Sequence, residues 1–258
     1  DVNVDIVSKL REPLQINSDT QTSNVISLGG SPCNMSMWLA NIGAQVRFLA
    51  AVGDDLLGTW IKAQLTLGNL SIDSIQTKAG ARSGTCIILV SDDGQRTMLP
   101  DPAANLQFEI SQNEQTEITG SSVVVMSAYS FLRPETRHLA SKVSELVKNC
   151  GARLVLDAAS SAPIAEVGVQ AVRNYLADAD LILANEDEFA LLNQPEWTAQ
   201  IPDLVVKLGP NGAKWLRFGQ EVCTQGAMKV DVVDTTGAGD SFLAGLISVL
   251  SEHEDWFA

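Results

Sequence analysis

Two carboxylates near the C-terminal end of the chain enclose a short run of small residues. The run reads Asp234-Thr235-Thr236-Gly237-Ala238-Gly239-Asp240, and apolar residues follow it at helical spacing as far as Leu250. A loop that turns directly into a helix points its unpaired N–H groups at one place, where the helix dipole also favours negative charge. A carboxylate at the start of that helix can take a proton from a hydroxyl group held nearby. Phosphoryl transfer to an alcohol requires this combination, because the reaction depends mostly on positioning and charge stabilisation.

The same residues have a simpler interpretation. Gly-Ala-Gly-Asp is also typical of a tight turn in which Asp240 caps the following helix. The flanking Asp234-Thr235-Thr236 and the strand-like residues Val230–Val233 favour the phosphate site. On these residues alone, both interpretations stay open.

Polar side chains also follow an apolar run in the middle of the chain. Leu181–Ala184 leads directly into Asn185 and the acidic residues Glu186–Glu188. Ligands of open α/β sheets bind at the carboxyl ends of the strands, so these groups are candidates for a ligand site. Acidic residues are also favourable in the first turn of a helix, with no ligand involved. The residues by themselves do not separate these two roles.

Short apolar runs alternate with amphipathic segments from the middle of the chain onward. Helices are expected after Pro134, around residues 167–176 and over 186–192. Continuous apolar strands separated by helices are typical of a parallel sheet that is covered on both faces. We therefore predict an α/β fold, a three-layer Rossmann-like core in which a mostly parallel sheet is flanked by helices. The predicted strands of this sheet are Val123–Met126, Leu154–Asp157, Leu181–Ala184 and Leu204–Leu208.

Two segments break this alternation. Residues 85–90 and 95–99 flank Asp92-Asp93-Gly94, an arrangement that predicts a β-hairpin with an Asp-Gly turn. A hairpin does not belong in a series of parallel strands joined by helices. Together with residues 7–26, it therefore predicts a small accessory sheet. Residues 214–223 are typical of an antiparallel pair at a sheet edge.

The composition limits the classes of partner. The chain has 258 residues, 45% of them hydrophobic, which is enough for one sizeable core. Its formal net charge of −14 argues against a surface that binds nucleic acid or an anionic membrane. No apolar run approaches the roughly 20 residues needed to span a bilayer, and no signal-peptide pattern opens the chain.

The cysteines are widely separated and form no Cys-x-x-Cys pair. A zinc site or a disulfide framework is therefore not expected, and reduced thiols in the cytoplasm are the prediction. The four positions are Cys33, Cys86, Cys150 and Cys223.

The glycine-containing segment at residues 234–242 resembles, residue for residue, the C-terminal signature of the ribokinase (PfkB-type) family of carbohydrate kinases. A second block, Gly29-Gly30-Ser31-Pro32-Cys33-Asn34, continues through Ile42-Gly43 to Gly53-Asp54-Asp55 and resembles the N-terminal signature of that family. The likeness covers nearly the whole chain and is specific for the family, not for a substrate. It implies ATP-dependent phosphorylation of a hydroxyl group on a sugar or a sugar-like molecule.

The resemblance implies roles for individual positions. Asp240 corresponds to the general base, and the backbone N–H groups of Gly237, Ala238 and Gly239 correspond to an anion hole. Another set of positions corresponds to residues that bind the acceptor. These are Asn3, Asp5, Gly29, Gly30, Asn34 and Asn105.

At two of these positions, Asn34 and Asn105, the residues also allow another role or depart from the family pattern. Asn34 can also cap a helix that begins near Met35, and both roles can coexist. The stretch around Asn105 often reads Gly-Ala-Asn in relatives, whereas this chain has Ala103 in place of the glycine. That departure weakens any transfer of substrate identity.

The nucleotide positions follow from the same resemblance. Asn185 and Glu188 match an Asn-x-x-Glu motif that positions Mg²⁺ and phosphates, largely through water. Lys207, Gly209 and Gly212 match a strand-end segment that lies along the nucleotide. Many relatives carry threonine at the position of Lys207, and a lysine there can reach a phosphate.

A monovalent-cation site is a further implication of the resemblance. Asp234 and Thr236 match residues that hold a potassium-like ion in some relatives. The cofactors implied are therefore ATP, Mg²⁺ and K⁺.

The resemblance also implies a single ribokinase-like domain over residues 1–258, with a β lid formed by about 7–26 and 85–99. The lid closes over the sugar and mediates dimerisation in several relatives, so a homodimer is expected. Both termini are expected to be truncated, because the first strand lacks its start and relatives usually continue beyond the last helix.

Other functions remain open at this point. A nucleoside kinase shares these motifs, whereas vitamin kinases on the same core usually lack the lid. A catalytically silent relative is disfavoured because both expected acids, Asp240 and Glu188, are present. A dinucleotide-dependent dehydrogenase requires Gly-x-Gly-x-x-Gly after an early strand, and this chain has its glycine loop at the opposite end.

Overall fold

The computed structural model describes residues 1–231 and 235–252. The chain divides into two compact units. The first unit contains Asp1–Glu109 together with Asp240–Ser248, and the second contains Ile110–Gly239 together with the residues from Val249 onward.

The described residues form β-strands and α-helices in the following chain order. The strands are β1 (Asn3–Leu10), β2 (Thr22–Gly29), β3 (Ala50–Gly53), β4 (Ile75–Lys78), β5 (Thr85–Val90), β6 (Arg96–Asp101), β7 (Val123–Ser127), β8 (Arg153–Asp157), β9 (Leu181–Asn185), β10 (Asp203–Lys207), β11 (Ala213–Arg217) and β12 (Gln220–Gln225). The helices are α1 (Ser31–Asn41), α2 (Leu56–Leu67), α3 (Gln112–Thr119), α4 (Tyr129–Leu132), α5 (Pro134–Cys150), α6 (Ser161–Val167), α7 (Val169–Leu176), α8 (Glu186–Leu192), α9 (Pro195–Thr198) and α10 (Ala238–Leu250).

The first unit contains a four-stranded sheet in the order β2-β1-β5-β6. β1 is parallel to β5, and the other two pairings are antiparallel. The expected hairpin is present as β5 and β6, joined by a turn in which the N–H of Gly94 donates to the carbonyl of Ser91. A separate two-stranded parallel sheet joins β3 to β4.

Apolar residues from β1, α1, β3 and α2 form the core of this unit. Val2, Cys33, Val52, Ile61 and Leu65 are fully buried in it. The core fixes the beginning of β1 next to the beginning of α1, and both segments carry predicted acceptor-binding residues.

The second unit contains a six-stranded sheet in the order β12-β11-β10-β9-β8-β7. The pairings from β7 to β10 are parallel, and β11 and β12 form the expected antiparallel edge pair. Residues 154–156, 181–184 and 204–206 are buried at every position. Successive strand residues point to opposite faces, so both faces of the central strands are covered. The predicted three-layer α/β core with a mostly parallel sheet flanked by helices is confirmed.

Several boundaries differ from the predictions. The helix expected around 167–176 is present as α7, and Gly168, with φ of 100°, separates it from α6, which was not predicted. α1 begins at Ser31 and not near Met35, because Gly30 serves as its N-cap. The strand-like interpretation of Val230–Val233 is wrong for Val230, which is 71% exposed and lies beyond the end of β12. Val232 and Val233 lie outside the described residues.

Among residues 1–231 and 235–252, none of the helices is both long enough and apolar enough to cross a membrane.

Candidate active site

The small residues near the C-terminal end lead into a helix, as the sequence predicts. Gly237 adopts a left-handed φ of 70°, and α10 begins at the next residue. The first N–H groups of a helix have no acceptor inside that helix, and they carry the positive end of its dipole. The N–H of Ala238 donates to the carbonyl of Thr235 at 3.2 Å. The left-handed Gly237 is thus followed directly by the start of α10, and the N–H of Ala238 is satisfied within the turn.

Asp240 does not cap this helix. It is the third residue of α10, so the N-cap interpretation of Asp240 is wrong. Its carboxylate instead accepts two hydrogen bonds from α1. The hydroxyl of Ser31 donates to Oδ1 at 2.7 Å, and the Asn34 amide donates to Oδ2 at 3.0 Å. Both oxygens are therefore held by side chains about two hundred positions earlier in the chain, within the first compact unit.

Asn34 also departs from one of its two expected roles. It lies inside α1, and the N-cap residue is Gly30, so Asn34 is not the cap. The backbone of Gly30 passes so close to Asp1 that a side chain at position 30 would collide with the Asp1 carbonyl. The close approach holds the first turn of α1, and with it Asn34, beside the beginning of β1.

The carboxylate of Asp5, in β1, receives no hydrogen bond from the described residues. Its carboxylate occupies the space that a side chain at Gly29 would fill, which explains the glycine at that position. Burial raises the pKa of Asp5 to about 6. A half-buried carboxylate without a protein donor is suited to accept hydrogen bonds from the hydroxyl groups of a ligand.

Asn3 and Asn105 are placed together. Asn3 and Asp5 are two positions apart in β1, so they lie on the same face of the strand. The Asn105 amide donates to the Asn3 side chain at 3.0 Å and to the carbonyls of Val2 and Pro102. Asn105 is only 5% exposed, and its side-chain oxygen accepts from the N–H of Val2. Its geometry favours support of Asn3 over direct contact with a ligand.

In the second unit, Asn185 and Glu188 form a reciprocal capping box at the start of α8. Asn185 Nδ2 donates to one Glu188 oxygen at 2.7 Å, and the backbone N–H of Asn185 donates to the other at 2.8 Å. The backbone N–H of Glu188 donates to Asn185 Oδ1 at 2.9 Å. The first-turn interpretation is therefore structurally correct for this pair, although a capping box does not exclude a ligand role.

Burial shifts the titration of Glu188. The residue is 3% exposed, and burial raises its pKa to about 7. The hydrogen bond from the Asn185 backbone acts in the opposite direction, as does the charge of Lys207, whereas the charge of Asp157 adds to the rise. Glu188 is thus only partly ionised near neutral pH.

Lys207 is held by a residue that the sequence analysis did not identify. Its ammonium pairs with Asp157 Oδ2 at 3.0 Å, and both side chains are largely buried. The other oxygen of Asp157 accepts from the N–H of Ala159 at 3.1 Å. A Cβ atom at Gly239 would lie 3.3 Å from Lys207 Nζ, so the ammonium lies beside the backbone of Gly239 at the start of α10. Asp157 ends the apolar run of β8, and the strand-end argument used for Asn185 would have found it.

Tyr129 is a second residue that was missed. It follows β7 closely, and its hydroxyl is hydrogen-bonded to Ser160, which follows β8. Burial raises the pKa of Tyr129, and the charges of Glu188 and Asp157 add to that rise. The carboxyl ends of the four parallel strands β7–β10 therefore carry polar side chains whose charges influence one another.

The other predicted nucleotide and cation positions are Gly209, Gly212, Thr236 and Asp234. Gly209 begins a 3₁₀ turn after β10, and the carbonyl of Gly212 accepts from the N–H of Leu208 at 2.7 Å. Thr236 lies in the turn before α10. Asp234 lies outside the described residues.

The donor set limits how a metal ion can bind. Within the described parts of the chain, no three His, Cys, Asp or Glu side chains are grouped as a metal site. Both Glu188 oxygens already accept hydrogen bonds from Asn185. These residues fit a Mg²⁺ ion that keeps its waters and is bound mainly by phosphate oxygens, with Glu188 reached through water.

Comparisons with known proteins identify the family and the fold. A family model described as "pfkB family carbohydrate kinase" matches residues 2–257. Probable fructokinase-6, chloroplastic, from Arabidopsis thaliana is 26% identical over 239 residues, covering 86% of this chain and 62% of that protein. Fructokinase-2 from Solanum lycopersicum is 25% identical over 243 residues, covering 88% of this chain and 73% of that protein. The chain thus spans less than two thirds of the length of the chloroplastic relative.

Solved structures share the fold. Adenosine kinase from Sinorhizobium meliloti superimposes with a TM-score of 0.84 at 20% identity, covering 99% of this chain and 86% of that chain. Arabidopsis thaliana ribokinase, complexed with ribose and ATP, gives a TM-score of 0.82 at 20% identity, with coverage of 99% and 85%. The resemblance inferred from the two sequence blocks is confirmed. Because the family model spans nearly the whole chain, the protein belongs to the pfkB family of carbohydrate kinases.

Proposed function

We propose that this protein transfers the γ-phosphate of ATP to a hydroxyl group of a sugar or a sugar-like molecule. Family membership supports this activity. The environment of Asp240 gives the strongest structural support for this activity. Its carboxylate follows the turn at Gly237–Gly239 directly in the chain, and both of its oxygens are fixed by donors from α1.

In this proposal Asp240 is the general base. It accepts the proton of the acceptor hydroxyl as that oxygen attacks the γ-phosphate, a role typically worth ~10²–10⁴-fold in rate. The N–H groups of Gly237, Ala238 and Gly239 stabilise the charge on the transferred group. For the Ala238 N–H this requires that its hydrogen bond to the Thr235 carbonyl is shared with, or exchanged for, a phosphate oxygen. The peptide bond between Gly239 and Asp240 keeps the last of these donors and the base adjacent.

The acceptor is bound by the groups around Asp5. The carboxylate of Asp5 accepts hydrogen bonds from sugar hydroxyls, and Asn3 and Asn34 offer both donors and acceptors. Gly29 leaves the space that the Asp5 carboxylate occupies, and Gly30 lets the first turn of α1 lie close to the backbone of Asp1. Asn105 supports Asn3 from behind.

The nucleotide is bound by the strand ends of the second unit. Lys207 is placed to neutralise phosphate charge, with Asn185, Gly209 and Gly212 along the nucleotide. Mg²⁺, when bound with the phosphates, supplies positive charge that offsets the charge on the transferred group. Glu188 orients its waters. Asp234 and Thr236 are the residues proposed for a K⁺ ion.

The acceptor is proposed to be a free sugar, with fructose as the first candidate. The curated relatives named above are fructokinases, and their similarity covers most of this chain. A nucleoside is the second candidate, since a nucleoside kinase from Burkholderia thailandensis in complex with inosine also shares the fold, with a TM-score of 0.79.

A coupled assay for ADP release tests this proposal. The protein is incubated with ATP, Mg²⁺ and each member of a panel of ketoses, aldoses, sugar acids and nucleosides. Turnover with one sugar and none with nucleosides is expected. Turnover only with nucleosides would support the second candidate, and ATP binding without turnover on any acceptor would indicate a catalytically silent relative.

The four-stranded sheet is proposed to act as a lid over the acceptor and as the surface of a homodimer. The pairing register aligns Ile26, Ile6, Ile87 and Leu99 in one row across the four strands. Three of them are large and exposed, at 61% for Ile26, 42% for Ile87 and 51% for Leu99. An exposed apolar row on a sheet face is typical of a protein–protein contact. Light scattering in solution is expected to give the mass of two chains.

The same proposal treats residues 1–258 as one ribokinase-like domain that acts in the cytoplasm. Free cysteines at four positions, two of them exposed, are compatible with a reducing compartment.

A further inference from the structure

The first turn of α1 directs two polar side chains away from its own backbone. A serine or asparagine at a helix start usually accepts a hydrogen bond from a nearby N–H group. Here Gly30 is the N-cap, and α1 has no side-chain capping hydrogen bond. Ser31 and Asn34 instead donate to the two different oxygens of Asp240. The two side chains are therefore hydrogen-bonded to a carboxylate about two hundred positions later in the chain and not to the backbone at the start of α1.

The two contacts differ in what else the side chain can do. Asn34 has further hydrogen-bonding capacity and is a proposed acceptor-binding residue. Ser31 has a single hydroxyl proton, and it gives that proton to Oδ1 of Asp240 at 2.7 Å. A hydrogen bond to an ionised carboxylate is short and strong compared with one between neutral groups. Ser31 therefore acts on the proposed base and leaves direct acceptor binding to its neighbours.

We propose that Ser31 is a positioning residue for phosphoryl transfer, which fixes the carboxylate plane of Asp240 so that one oxygen faces the acceptor hydroxyl. The inference rests on the proposed role of Asp240 as the base. Two donors on two oxygens remove rotation about the Cβ–Cγ bond, and one donor alone does not. Misplacement of a reacting group by a small distance is costly, because catalysis depends on a narrow range of geometries. Ser31 thus affects kcat and leaves acceptor affinity largely unchanged.

The test compares three variants at the start of the same helix. Ser31→Ala removes the hydroxyl, Ser31→Thr retains it, and Ser36→Ala removes a hydroxyl that does not touch Asp240. Ser36 is the matched control because it is also in α1, is 3% exposed and donates within the helix to the Pro32 carbonyl at 2.7 Å. All variants are assayed with the acceptor found in the panel, and their unfolding temperatures are measured.

For Ser31→Ala we expect kcat to fall about tenfold, with the acceptor KM within about twofold of the wild type. Ser31→Thr is expected to restore most of the lost rate, and Ser36→Ala to keep the wild-type kcat. The inference is overturned if Ser31→Ala keeps the wild-type kcat, if the loss appears in KM instead, or if Ser36→Ala loses as much.

A second readout separates this inference from the proposed function. The side-chain amide signals of Asn34 are followed by ¹⁵N NMR in the protein without substrates. Because Asn34 and Ser31 share the carboxylate of Asp240, these signals are expected to shift in Ser31→Ala and to stay unchanged in Ser36→Ala. If the wild type phosphorylates no acceptor, the proposed function fails, and the absence of this shift would separately overturn the two-donor arrangement.

Discussion

Asp5 in the first unit and Glu188 in the second are both carboxylates removed from solvent, but they differ in their hydrogen-bond donors. Burial raises the pKa of both groups, to about 6 for Asp5 and about 7 for Glu188. Glu188 receives two donors from Asn185, whereas no described residue donates to Asp5. Within the described residues, the Glu188 carboxylate thus has hydrogen-bond donors and the Asp5 carboxylate has none.

The difference corresponds to the two kinds of ligand proposed. Sugar hydroxyls are neutral and need hydrogen-bond acceptors, so an unsatisfied carboxylate at Asp5 favours their binding. Phosphates are anionic, so acidic side chains near them must be offset. In the second unit this is achieved by the ion pair of Asp157 with Lys207 and by the raised pKa of Glu188.

The largest effect is expected for the proposed base. Asp240→Asn removes proton acceptance while preserving shape, so kcat should fall by ~10²–10⁴-fold. The fold should remain, because loss of a few hydrogen bonds at a half-buried site costs little. kcat is measured by ADP release and the fold by circular dichroism. Near-normal turnover in this variant would show that Asp240 is not the general base.

The acceptor region should respond next. Asp5→Asn keeps the volume but removes the carboxylate, so kcat/KM for the acceptor should fall by about 10²-fold while the KM for ATP stays unchanged. Steady-state kinetics with each substrate varied in turn gives both values. The exposed Asp73→Asn, in the same unit but outside the proposed lid and sites, is the control and should behave as the wild type. A rise in the KM for ATP alone would place Asp5 on the nucleotide side instead.

The Lys207 ammonium beside Gly239 is expected to affect the other substrate, ATP. Lys207→Met leaves Asp157 without its ion-pair partner and removes the positive charge near Gly239, so the KM for ATP should rise about tenfold. The matched control is Lys148→Met, which breaks the exposed ion pair of Lys148 with Asp178 at 3.1 Å. Equal effects of the two variants would show that Lys207 has no special relation to the nucleotide.

The smallest effect is a dependence of stability on pH. The folded-state pKa of Glu188 is raised from 4.5 to about 7, so the folded protein holds this proton more tightly than the unfolded chain does. Stability is therefore highest below pH 4.5 with respect to this group and falls as the pH rises to about 7. Glu188→Gln should remove this fall, which is on the order of 2–3 kcal/mol. Urea unfolding at several pH values, in both proteins, measures the difference.

The unfolding measurements on wild type and Glu188→Gln can also contradict the predicted pH dependence. If the free energies of unfolding of wild type and Glu188→Gln stay parallel between pH 4.5 and 7, the carboxyl group is not shifted by burial. The capping box would then be an ordinary helix start.

Local patterns were sufficient for much of the second unit. Apolar runs at residues 154–156, 181–184 and 204–206 predicted strands because a strand buried on both faces must be apolar at every position. The start of α8 at Glu186 was also predictable, since Asn185 and Glu188 have the spacing of a capping box. In contrast, the starts of α1 and α10 were not located correctly, because Gly30 and Gly237 act there through backbone conformation and not through a side-chain cap.

The local order of the chemical groups could be read from the sequence. It shows a turn of small residues before Asp240, a glycine pair before α1, and acidic residues after a buried strand. Tertiary structure alone decided their partners. Nothing in the sequence relates Ser31 to Asp240, or Lys207 to Asp157, because both contacts join distant segments. The physical reason is that hydrophobic burial of helices and strands sets where the backbone runs, and polar side chains then pair with whatever groups that path brings within reach.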